Sequence, residues 1–105
     1  MRRRLALLLL PLCLAASPAA ARQDGPVLAY ACFMEYGAEM SDARSDAGRL
    51  RPAAAQRRLS AYIASLGLDR DADTAAVRAA YDLRRATPDL RAACAAFLDT
   101  LPENH

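Results

Sequence analysis

Val27 to Met40 reads VLAYACFMEYGAEM, and the fold turns on how this stretch is read. It is apolar nearly all the way round. Its only charges are Glu35 and Glu39, which share one helical face at i and i+4. A helix this apolar is buried among others. The stretch is therefore expected to be the central helix of a small all-α bundle of about four helices. Tyr30, Phe33, Met34, Gly37 and Met40 fall on one broad face and are expected to form core. Gly37 costs helix propensity but would let another backbone come close. Glu35 and Glu39 are expected on a solvated face.

Upstream, residues 1–21 read as a targeting leader. Arg2, Arg3 and Arg4 form a positive start, and Leu5 to Ala16 is an apolar run of 12 residues. That is too short for a membrane span, which needs about 20. Pro18 breaks the run, and Ala19-Ala20-Ala21 places cleavage before Arg22. The alternatives are an uncleaved anchor or lipid on Cys13, but Cys13 lacks the small residue such a signal wants before it. Residues 22–105 are then a single helical domain. Its localisation is periplasmic or secreted, with no stable membrane anchor after cleavage.

Removing the leader changes the charge and the cysteine count. All 14 basic residues are arginine, three of them in the leader, so 11 remain against 12 acids and the net charge is −1. No cationic surface follows, and nucleic-acid binding has neither the charge nor the compartment. Missing lysine and abundant alanine mark a GC-rich coding sequence and point to a bacterium. Cys13 leaves with the leader. Cys32 and Cys94 remain, and an even pair in an oxidising compartment reads as a disulfide. Closing a loop of about 60 residues stabilises by roughly 4 kcal/mol on the chain-entropy argument. No C-x-x-C pair supports a redox enzyme.

Downstream of the central helix, Ser41 to Arg51 has alternating charges interrupted by Gly48. It reads as a turn or two of helix followed by loop. Pro52 to Leu66 is the second helix, with Ala55, Leu59, Tyr62, Ile63 and Leu66 in one stripe and Pro52 in its first turn. Gly67 suits a left-handed end, with Leu68 folding back. Asp69-x-Asp71-x-Asp73 hints at a calcium loop. The sixth position is Thr74 and the twelfth Ala80, where such a loop wants Gly and Glu. The string reads instead as a linker whose Asp73 caps a third helix, Thr74 to Ala86. Val77, Ala80, Tyr81 and Leu83 should face inward there. Thr87-Pro88-Asp89 opens a fourth helix running to about Leu101. Its stripe is Leu90, Ala93, Cys94, Phe97, Leu98 and Leu101.

The only histidine is His105, and there is neither lysine nor a glycine-rich phosphate loop. Triad, zinc-histidine and Schiff-base chemistry lack their residues, so no catalytic residue, metal or cofactor is assigned. Arg44, Arg49, Arg51, Arg57 and Arg58 are the candidate binding surface. They form an anion site if they gather and a solvated face if they do not.

Thr87-Pro88-Asp89-Leu90-Arg91-Ala92-Ala93-Cys94 resembles a segment of the small periplasmic acid-stress chaperones of the HdeA type. In that family a Thr-Pro-x-aliphatic start leads to the second cysteine of a single disulfide. Cys32, followed by Phe33, Glu35 and Tyr36, is similar to the first. The two cysteines here lie further apart than in the family, which also adds a charged helix beyond the second. The resemblance implies a protein inactive at neutral pH that exposes apolar surface in acid and holds unfolded proteins. The residues alone predict an exported, disulfide-linked, non-enzymatic binding or structural module with an unidentified protein partner. A toxin-immunity or inhibitor protein is the third reading.

Overall fold

The computed structural model describes residues 25–102. The expected leader lies outside them, as does His105. Four helices make up the described chain: α1 (residues 25–42), α2 (Asp46–Leu66), α3 (Arg70–Ala86) and α4 (Leu90–Asp99). A disulfide joins Cys32 of α1 to Cys94 of α4, with their Cα atoms 5.5 Å apart. The protein is thus an all-α bundle whose first and last helices are bonded.

The helix starts differ from those expected, for reasons of capping. α2 begins six residues before Pro52, because the Ser45 side chain accepts from the Gly48 amide at 3.1 Å. Asp46 adds an acid to that first turn and pairs with Arg49 at 3.0 Å. Pro52 therefore sits inside the helix, fully buried. A proline there cannot bond back to residue 48 and crowds its carbonyl. α3 begins four residues before Thr74, because Asp69 and not Asp73 is the cap, accepting from the Ala72 amide at 2.8 Å. Thr87 ends α3, so α4 starts only at Leu90, with no side-chain cap bond from Asp89. α4 stops at Asp99, and Leu101 stays buried in the turn that follows. Gly67 takes the left-handed conformation (φ 60°) expected of it.

α1 is tied to each of the other three helices. Beyond the disulfide to α4, the Tyr30 hydroxyl donates to Asp73 of α3. Gln56 of α2 donates its side-chain amide to the Phe33 carbonyl at 2.9 Å. Gly37 admits that glutamine: a Cβ there would stand 3.0 Å from its Nε2. The close neighbour of Gly37 is thus a side chain and not the expected backbone.

The core is rich in small residues. Ala29, Ala31, Cys32 and Tyr36 of α1 are buried with Ala55, Leu59, Ala80, Leu90, Cys94 and Leu101. Tyr30, Phe33 and Met34 only pack against this set, half-buried. The expected aromatic and methionine stripe therefore flanks the core, because close helix approach across the disulfide favours the alanine side of α1. The same preference places Ala76 and Ala80 of α3 inside, whereas Tyr81 is 53% exposed. Leu66 and Ala93, both expected inward, lie at the surface.

Candidate functional site

The five arginines of the expected surface do not gather into one patch. Arg44 is exposed in the connection between α1 and α2. Arg49 is taken up by Asp46 and reaches the Ala43 carbonyl at 3.4 Å. Arg57 is exposed beside Phe33, Gln56 and Ser60. Arg51 and Arg58, seven residues apart, share one face of α2. Only these two come together, and they line a cleft of about 310 Å³ between α1, α2 and α4.

The walls of this cleft come from three helices. Tyr36 of α1 and Ala54 and Ala55 of α2 face Ala95, Leu98 and Asp99 of α4. Arg58 is held across the cleft: its Nη2 donates to the Leu98 carbonyl at 2.7 Å and the Leu101 carbonyl at 3.0 Å. Both carbonyls lie at or just past the C-terminal end of α4, and that of Leu98 also accepts from the Leu101 amide at 3.0 Å. The Arg58 Nε is buried without an acceptor among the described residues. Arg91 lies over the Tyr36 ring, 5.5 Å from its centroid, in cation–π contact. It also stands 3.1 Å from Glu39. That Glu39 oxygen makes no aligned hydrogen bond, so attraction of charge holds the pair.

Glu35 and Glu39 do not form a solvated face. Glu35 pairs with Arg84 of α3 at 3.2 Å, and Glu39 with Arg91 of α4. The two carboxylates point to different helices and work as ties. Asp69 and Asp73 are likewise engaged, one as a cap and the other as acceptor for Tyr30. Among the described residues no group of three or more His, Cys, Asp or Glu is placed to hold a metal ion. No described helix is long and apolar enough to cross a membrane.

Sequence reasoning singled out neither Tyr36 nor Arg91 as part of a site. The signal was present. Tyr36 follows Cys32 and Arg91 precedes Cys94 by about one helical turn, so the bond brings them within reach of each other.

The phenols of Tyr30 and Tyr36 are both held in the neutral form beyond the ordinary range. The hydrogen bond to Asp73 pushes Tyr30 above the usual tyrosine value, helped by desolvation and by the charge of Asp73. Burial pushes Tyr36 up, against the pull of Arg91, Arg51 and Arg58 and with the help of Glu39. A folded value above the unfolded one means stability present below about pH 10 and lost as pH rises through the folded values. Absorbance at 295 nm should therefore show these phenols ionising later in the native protein than in denaturant. Stability should fall over the same range. Tyr30→Phe should flatten part of that fall, and an unchanged pH profile would count against the Tyr30–Asp73 tie.

No protein-family model matches this chain, and no curated protein or solved structure is similar to it at a significant level.

Proposed function

We propose that this chain is a small exported helical module that acts by binding and not by catalysis, in the periplasm or outside a bacterial cell. The observation that carries the reading is the disulfide between two fully buried cysteines. A bond of this kind suits an oxidising compartment, and the leader-like residues 1–21 agree with it. The polar side chains between helices are engaged in holding them together: Glu35, Glu39, Gln56, Arg58 and Asp73 each tie one helix to another. Exported protein should begin at Arg22 by N-terminal sequencing and show no free thiol under native conditions. An intact leader or lipid on Cys13 would make it membrane-attached, and two free thiols would remove the oxidising compartment.

A second reading, an acid-activated chaperone, is supported by the kinds of tie that α1 makes. Its links to α3 run through the carboxylates of Glu35 and Asp73, and its ion pair with α4 through Glu39. Its disulfide to α4 does not titrate. Carboxylates as a class lose their charge in acid and a disulfide does not, which is what the resemblance at Thr87 to Cys94 would require.

A further inference from the structure

We propose that the cleft between α1, α2 and α4 binds a small carboxylate with an apolar body, its carboxylate facing Arg51, Arg58 and the Tyr36 hydroxyl. The proposal rests on the binding-module reading and adds the ligand class to it.

The cleft carries positive charge without a paired counter-charge among the described residues. Arg51 is exposed and pairs with no carboxylate among the described residues. Arg58 donates to two carbonyls, which orient its guanidinium but leave its charge uncancelled. Guanidinium is planar and suits a carboxylate edge-on, an edge that Arg51 can offer, while Arg58 adds its charge. A side chain already held by two carbonyls also loses less freedom on binding. Asp99 lines the same cleft and opposes an anion, but it forms no ion pair with either arginine among the described residues.

The cleft also holds an unused donor. The Tyr36 side chain reaches the cleft, and its hydroxyl makes no hydrogen bond to another described residue. Ala54, Ala55 and Leu98 offer an apolar wall beside the arginines. The cleft volume of about 310 Å³ is at the small end of ligand sites. A bare oxyanion would leave that wall unused, whereas a carboxylate carrying a ring or short chain would cover it.

Benzoate is the probe, with acetate and inorganic phosphate beside it, read by NMR shifts of the oxidised native protein. Benzoate should give saturable shifts at Tyr36, Ala95 and Leu98, with a Kd on the order of 1 mM. Acetate and phosphate should bind at least about tenfold more weakly. Arg51→Gln should weaken benzoate about tenfold without changing the helical circular dichroism, and Asp99→Asn should strengthen it. Arg58→Gln also loosens the end of α4, so Arg51→Gln carries the test. Absence of saturation by about 50 mM benzoate would overturn the proposal. So would equal binding by Arg51→Gln, or phosphate binding as well as benzoate. Any of these results, in protein that begins at Arg22 and has no free thiol, would leave the exported-module reading standing.

Discussion

Replacing Cys32 and Cys94 together by alanine should lower stability by about 4 kcal/mol and the melting temperature by roughly 15–30 °C. The bond spans 62 residues of sequence, so its removal returns a large loop entropy to the unfolded chain. The core has little in reserve. Leu59, Pro52 and the two cysteines are its largest completely buried side chains, and the remainder is mostly alanine. Burying one leucine contributes about 1.5–3 kcal/mol. The disulfide thus outweighs the largest aliphatic side chain of the core. It is a large share of the roughly 5–15 kcal/mol that holds a typical domain. Thermal unfolding of the double variant followed by circular dichroism checks this. A melting temperature within a few degrees of the parent would show that packing alone holds α1 to α4.

Lowering the pH to about 2 should open the bundle while α1 and α4 stay joined. Asp and Glu side chains as a class take up protons near pH 4, whereas arginine keeps its charge. With all 12 acids neutral, residues 22–105 carry 11 arginines and one histidine, so 12 positive side chains. Loss of the Glu35–Arg84 and Glu39–Arg91 attractions is the smaller effect. Pairs this exposed contribute under about 1 kcal/mol each. Self-repulsion of 12 like charges around an alanine core is the larger one. The expanded state would expose Tyr30, Phe33 and Met34, which in the native fold are half-buried beside the core. Dye binding and loss of near-ultraviolet dichroism at low pH would register the opening. Many small proteins open in acid, so the decisive assay is functional. Substoichiometric protein should keep an acid-denatured client soluble at about pH 2–3 and release it on neutralisation. No protection at a tenfold excess would remove the chaperone reading.

The sequence made the number of helices legible, together with the central place of α1 and the partner of Cys32. Each of those follows from long-range pattern: apolar periodicity and an even pair of cysteines. Helix starts were less legible, because they depend on which of several polar residues wins the cap. Ser45 and Asp69 outcompete the more conspicuous Pro52 and Asp73. The core was misjudged in one consistent direction. Large apolar residues such as Tyr81, Leu66 and the Tyr30–Phe33–Met34 face were expected inside, and alanines hold those places. Hydrophobicity alone does not register that small residues let helices approach. The cleft was half legible. Arg51 and Arg58 were in the expected arginine set, but their union with Tyr36 needs the third dimension.

The dependence of α4 on its partners bears on the order in which the molecule is made. α4 has ten residues, fewer than the 12–15 or so at which an isolated helix becomes marginal in water. It is held by Cys94 at its middle, by Glu39 on Arg91 near its start and by Arg58 at its end. All three partners lie earlier in the chain. During synthesis Cys32 emerges 62 residues ahead of the thiol it must meet. Until then α1 has no covalent tie to α4. Closure waits for α4, so the last helix to arrive completes the fold.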